Sequence, residues 1–257
     1  MAGNPHSGMT MITDERAVLE GLISVSATIE AQSRAIHVLY IRRDHTDNRV
    51  IRLEERARAA GIVTQRVDLE IIDTYASGTT HGGVVALVGP RRFLALGDLL
   101  RRTASPFVVM LDGVEDPFNF GSAVRSLYAA GADGLVVRPR NWMSAAGTVA
   151  RASGGASELM PTAIASTALA AAAFFKTQGL AVACAVKGQA VSIYAAQLAI
   201  PLFLVIGGEK RGISRPLLDY ADLLLEIPYQ RSFAASLDTA SAAAIVAFEV
   251  MRQRSHR

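Results

Sequence analysis

An α/β fold with a parallel sheet covered by helices on both faces is what this sequence predicts, and three observations predict it. Continuous apolar runs of strand length recur without polar alternation, as in residues 107–111, 180–186 and 202–206; strands buried on both faces read this way. Helical patterns stand between them, which is the order βαβ units require. Finally, the run 107–111 stops in an acidic, Pro-containing turn that carries Asn119, Gly121 and Arg125 to the mouth of a helix. At such corners α/β proteins hold phosphates and nucleotides, because free backbone N–H groups and the positive end of the helix dipole point outward.

Taken in order, residues 13–30 read as a helix with Asp14 and Glu15 favourable in its first turn. Residues 35–41 form a strand, 48–60 an amphipathic helix ended by Gly61, and 62–67 and 84–88 two more strands. Gly89-Pro90 punctuates the chain, and residues 93–102 form a connecting helix. The second half then reads as strand 107–111, helix 122–130, strand 134–138, helices 144–152 and 167–177, strands 180–186, 202–206 and 223–227, and helix 239–254. The division that follows is a disordered leader at 1–10, a small α/β domain at 11–90, a linker at 91–104 and a larger domain at 105–257.

Composition narrows the function classes. Of 257 residues, 51% are hydrophobic and 19% charged, which is ordinary for a globular protein. No apolar run approaches the ~20 residues that span a bilayer, and the N-terminus lacks a basic-then-apolar signal pattern. Cys184 is the single cysteine, so no disulfide can close within the chain, and its apolar setting predicts a buried, inert thiol. These features predict a cytoplasmic protein with no membrane partner. The net charge of +3 is too mild to hold nucleic acid by charge alone. The kind of base is more informative: only Lys176, Lys187 and Lys210 are lysines and the other basic residues are arginine. Two readings stand, arginine for phosphate and base contacts or codon bias. The cluster Arg42, Arg43, Arg49, Arg52, Arg56 and Arg58 is interleaved with Glu54 and Glu55, which predicts a solvated, ion-paired face. No His/Cys metal spacing, G-x-S-x-G, G-x-G-x-x-G or P-loop occurs.

Three motifs follow one another. The first is Asn119-x-Gly121-x-x-x-Arg125 behind a strand and Asp116-Pro117; the second is Leu204-Val-Ile-Gly-Gly-Glu-Lys-Arg-Gly-Ile213; the third is Ile227-Pro-Tyr229 with Ser236-Leu-Asp-Thr-Ala-Ser-Ala-Ala-Ala-Ile245. In this order they resemble the SPOUT superfamily of RNA methyltransferases, in its TrmH-like branch. Gly21-x-x-x-Val25 and His81-Gly-Gly-Val-Val-Ala86 resemble the L30e-like domain that grips RNA ahead of many such catalytic domains; His81 is then either an RNA contact or incidental.

The resemblance implies a C-terminal parallel-sheet SPOUT domain with a deep trefoil knot, preceded by a smaller L30e-like α/β domain. It implies transfer of a methyl group from S-adenosylmethionine to a ribose 2′-hydroxyl of ribosomal or transfer RNA, ribosomal being favoured, by a homodimer whose subunits both shape the active site, without a metal. Its catalytic residues would be Asn119, Arg125, Glu209 and Ser236, and its cofactor-binding residues Gly207, Gly208, Ile227, Leu237 and Asp238. Gly121 would let the backbone turn tightly into the helix. Glu209 would accept hydrogen bonds from Asn119 or Arg125. Arg125 has two candidate roles, general base or electrostatic clamp on a phosphate and the developing alkoxide; a guanidinium holds its proton, which favours the clamp. A salt bridge to Glu115, Asp116 or Glu209 is the structural alternative. This chain departs from the family pattern in three places. Lys210 stands where glycine is usual, Asp238 where asparagine is usual, and the loop 230–235 lacks a glycine. Lys210 would either meet RNA phosphate or crowd its turn. The departures give the competing expectation, an RNA-binding relative with a decayed cofactor site.

Overall fold

The computed structural model describes residues 16–101, 103–140 and 144–255. The first domain is a four-stranded mixed sheet with helices against it. It runs β1 (Ala17–Glu20), α1 (Leu22–Ala31), β2 (Arg34–Arg42), α2 (Asn48–Ala59), β3 (Thr64–Val67), α3 (Leu69–Tyr75) and β4 (Val84–Arg91). The sheet order is β1-β4-β2-β3, with β4 antiparallel to both neighbours and β3 parallel to β2. Residues 17–20 are thus a strand and not the start of a helix. Gly21 ends that strand at φ 83°, a left-handed turn that breaks any helix begun upstream, and its N–H donates to Val84 O at 2.9 Å. Helix α2 starts where Asp47 accepts from the Arg49 N–H at 2.7 Å and stops before Gly61, at φ 73°.

The arginine cluster carries salt bridges: Arg42 to Asp44, Arg43 to Asp68, Arg49 to Asp47, and both Arg58 and Arg66 to Glu54. His81 is buried. Its Nδ1 accepts from the Gly83 N–H at 3.0 Å and its Nε2 lies 3.2 Å from Asp73, so it braces the diglycine turn.

The second domain is a seven-stranded sheet in which every pairing is parallel. Its elements are β5 (Phe107–Asp112), α4 (Pro117–Ala129), β6 (Gly134–Val137), α5 (Ala146–Ala152), α6 (Ala156–Leu159), β7 (Thr162–Ile164), α7 (Ala168–Thr177), β8 (Ala181–Ala185), β9 (Val191–Ser192), β10 (Leu202–Gly207), α8 (Arg215–Tyr220), β11 (Leu223–Glu226) and α9 (Thr239–Ser255). The order is β7-β6-β5-β10-β8-β11-β9. Alternate residues of each strand feed two apolar layers. Val109, Leu111 and Leu204 pack with Val124, Leu127, Val246 and Val250 of α4 and α9; Val108, Met110 and Phe203 pack with Ala171, Phe175 and Leu217 of α7 and α8. Cys184 lies in the second layer, and burial pushes its thiol up to about 12.

Two further expectations change. Helix α4 begins at Pro117, because Asp116 accepts from the Asn119 N–H at 2.7 Å and proline fits the first helical position. Asn119 and Gly121 are therefore helical residues. The expected connecting helix is a 3-10 turn at Leu96–Leu100, and the segment is no free linker: Leu99 is buried and Leu94 bridges Ala163. The expected leader, residues 1–10, lies outside the described residues.

Candidate active site

Strands β5 and β10 are neighbours, with Asp112 opposite Gly207, so the first and second motifs leave the sheet side by side at its carboxyl edge. Chain order reverses at that point, since β6 lies to one side of the pair and β8 to the other, and open α/β sheets place ligands at such a point. Glycine lets the two exits touch. A Cβ on Gly208 would lie 2.1 Å from Gly113 O, and the Gly208 N–H donates to Asp112 O at 2.7 Å. Gly207 is as tightly placed, since a Cβ there would lie 2.7 Å from the Gly212 carbonyl carbon.

These contacts deliver Glu209 to the first turn of α4, where its Oε1 accepts from Asn119 Nδ2 at 2.9 Å. The Thr239 N–H also points at that oxygen, at 3.5 Å, while the buried Thr239 hydroxyl faces Gly207 O. Glu209 Oε2 takes no hydrogen bond among the described residues. Glu209 and Thr239 both line two adjoining recesses. One is a cavity of about 280 Å³ walled by Ile206, Leu225, Ile227 and Leu237, with Gly207, Gly208 and Ser236 at its rim. The other, about 340 Å³, is a polar cleft lined by Gly113, Glu115, Asp116, Asn119 and Lys210.

Of the nine residues singled out in the sequence, seven line one recess or the other: Asn119, Gly207, Gly208, Glu209, Ile227, Ser236 and Leu237. Asp238 lines neither. Its carboxylate accepts from the Ser241 N–H at 2.7 Å and the Ser241 hydroxyl at 3.1 Å, capping α9. Aspartate and asparagine cap helices about equally well, which explains the departure locally. Arg125 also lines neither recess. It is exposed, and its guanidinium rests over Gly154, where a Cβ would lie 3.6 Å from Arg125 Cζ. Among the described residues it makes no ion pair, so Glu115, Asp116 and Glu209 do not neutralise it.

Gly121 serves close helix packing rather than a turn: a Cβ there would lie 2.7 Å from Ala152 Cβ and 2.9 Å from Val149 O of α5. Lys210 bonds Glu115 at 2.6 Å, holding that exposed carboxyl below its usual range, and Lys210 is not among the residues with positive φ. A side chain there costs no strain.

Three lining residues escaped the sequence reading. Thr239 closes the hydrogen bonds on Glu209. Tyr229 accepts from the Leu237 N–H at 2.9 Å. Lys187 donates to the carbonyls of Phe233, Ala234 and Ala235, clasping the loop beside Ser236. Tyr229 stands inside the third motif, whose Ile-Pro-Tyr run is the signal that could have found it; Lys187 and Thr239 depend on long-range pairing and carry no local signal.

Residues 106–248 match the SpoU rRNA methylase family, and residues 18–94 match the RNA 2′-O ribose methyltransferase substrate-binding family. The chain belongs to the SpoU rRNA methylase family. A 23S rRNA (guanosine-2′-O-)-methyltransferase of Shewanella oneidensis is 30% identical, over 92% of this chain and 97% of that one. The S-adenosylmethionine-bound rRNA methyltransferase of Sinorhizobium meliloti is 25% identical, with a TM-score of 0.75 over 93% of this chain and 87% of that one. The SpoU methyltransferase of Streptomyces viridochromogenes, solved with the same cofactor, shares the fold at a TM-score of 0.78 and 21% identity, over 94% of this chain and 91% of that one. The TrmH-like resemblance of the three motifs and the substrate-binding character of the first domain are thereby established.

The apolar cavity fits S-adenosylmethionine chemically. Apolar walls suit a flat heteroaromatic ring, side-chain-free glycines admit close backbone approach, and Glu209 offers a carboxylate to a cation.

Proposed function

We propose that this protein uses S-adenosylmethionine to methylate a ribose 2′-hydroxyl in 23S ribosomal RNA, at a guanosine. Membership of the SpoU family and the 2′-O-methyltransferase relatives carry the reaction type. One structural observation carries the site assignment: Glu209 and Thr239 are shared by the apolar cavity and the polar cleft, so a cofactor in one would meet a ribose in the other across them. Gly207, Gly208, Ile227 and Leu237 would hold the cofactor. When bound, it supplies a methyl group already activated by a sulfonium sulfur.

The chain's own groups then hold and orient the ribose oxygen, which is where rate is gained in such a transfer. Asn119 is fixed by Glu209 Oε1, and the unbonded Oε2 is left to accept from a hydroxyl. Ser236 borders the cavity beside them. Arg125 keeps its proton and acts electrostatically, on a phosphate and on negative charge developing at oxygen.

Arg125 lies outside both recesses of its own chain, which supports a homodimer in which each active site draws on both subunits. Exposed Phe118 and Tyr128 on α4 and Phe248 on α9 offer apolar surface on the helices that border the site. The reading includes the division into an RNA-binding domain at 11–90, a connector at 91–104 and a methyltransferase domain at 105–257, a trefoil knot through the second and third motifs, and a cytoplasmic setting, where ribosomal RNA is made. No helix among the described residues is long and apolar enough to cross a membrane, and among them no cluster of metal-ligating side chains occurs.

The non-catalytic alternative rested on Asp238 and Lys210, and a helix cap and an unstrained ion pair account for both. The test is incubation with methyl-labelled S-adenosylmethionine and 23S rRNA from a strain deleted for the gene. One 2′-O-methylguanosine per RNA is expected. Incorporation into transfer RNA alone would overturn the substrate, and no incorporation would overturn the activity.

A further inference from the structure

The two domains share an interior. Ala146 and Ala150 of α5 belong to the apolar core of the first domain, beside Leu19, Val25 and Ala86. Two glycines of the second domain have first-domain atoms where a side chain would stand: a Cβ on Gly147 would lie 2.7 Å from Val18 O, and one on Gly155 would lie 3.0 Å from Ala27 Cβ. Around this contact sit two carboxylates. Glu158 of α6, its side chain 1% exposed, accepts from the Ser33 hydroxyl at 2.5 Å and pairs with Arg34 at 3.1 Å and Arg91 at 3.3 Å. Burial opposes its charge, yet Arg91 and Arg34 hold the carboxyl below its ordinary range. Glu20 of β1 pairs with Arg151 of α5 at 2.9 Å and accepts from Ser77.

The turn between α5 and α6 is where this junction meets the site. Gly155 abuts the first domain, and its neighbour Gly154, at φ 58°, seats the Arg125 guanidinium. We infer that Glu158 is a positioning residue for methyl transfer: by fastening the substrate-binding domain against the α5–α6 turn, it fixes where RNA held by that domain meets Arg125. The inference rests on the reading of Arg125 and of the first domain given above. The first domain is then a rigid gauge rather than a tethered hook.

The test uses the full-length chain with E158Q and the milder S33A, which deletes only the hydroxyl bond. Both are assayed for S-adenosylmethionine affinity, 23S rRNA affinity, single-turnover rate and amide exchange at Gly154 and Gly155. Both affinities are expected to stay within about threefold, while the E158Q rate falls at least about tenfold, as misplacement of reacting groups does. Exchange in the turn rises, and S33A moves the same way by less. Unchanged rates in the folded variants, or a rate loss that only tracks lost cofactor affinity, would overturn the inference. If E158Q does not fold, S33A decides alone. A wild-type chain that transfers no methyl would defeat the functional reading instead, and the exchange measurement would still decide whether Glu158 fixes the turn.

Discussion

Glu158 and Glu209 are both carboxylates held by several donors, and the difference between them separates fastening from chemistry. Glu158 is buried and meets two arginines, so its charge is cancelled where it stands. Glu209 is exposed and meets only neutral donors, Asn119 and the Thr239 N–H, so its charge is oriented but not spent. Arg125 is the cationic counterpart of Glu209: it is placed on glycine, with no acid against it among the described residues. Neutralised charges join the domains; of the two unneutralised ones, Glu209 lines both recesses and Arg125 lies at the turn beside the junction.

Breaking the buried member should have the largest effect. E158Q leaves two guanidinium groups against a neutral amide and should cost about 3 kcal/mol or more of stability, read by chemical denaturation. Acid should do the same to the wild type. The folded carboxyl of Glu158 titrates below its unfolded value, so its contribution is complete above that unfolded value, about pH 4.3, and is lost as pH falls through the lower folded one. E158Q should flatten that part of the stability profile. Next comes R125A, which should lower the transfer rate about 10²- to 10³-fold with cofactor affinity and stability nearly unchanged; equal losses in all three would mean that Arg125 only packs. E209Q should cost about tenfold in rate and little in melting temperature, because the group is exposed; a large melting shift would erase the contrast with Glu158. The smallest effect belongs to D238N, which exchanges one good helix cap for another and should shift stability by less than about 0.5 kcal/mol and leave cofactor titration unchanged. A gain in cofactor affinity there would restore the decayed-site alternative.

Much of this was legible locally. The strands at 107–111 and 202–206 read within a residue of their ends because burial on both faces leaves an unbroken apolar run, and three motifs named the recess walls. Where reading failed, the cause was spacing or partners. Residues 17–20 look helical in isolation and become a strand only because β4 lies beside them. Asp116-Pro117 reads as a turn but is the start of α4, with Asp116 as its cap and proline in its first position. Gly121 suggests a tight turn into the helix, but its reason is Ala152, a residue on another helix. Asp238 suggests a cofactor contact by its place in the motif, while the partner it meets in the fold is Ser241. The junction at Glu158 left no trace in the sequence, since it joins Ser33, Arg34 and Arg91 to a helix far along the chain.

The register of the central strands bears on how the protein is made. Leu202 pairs with Phe107, so β5 emerges from the ribosome long before β10, its inner neighbour. Until residue 207 is out, β5 can find only β6, and the carboxyl edge has no second exit loop to face. The first domain, by contrast, closes its sheet as soon as Arg91 appears. Pairings between strands so distant in sequence form slowly. A nascent chain should therefore pass through a stage in which the first domain has its sheet but still lacks the α5 side chains that complete its core, while the carboxyl edge of the second is unformed.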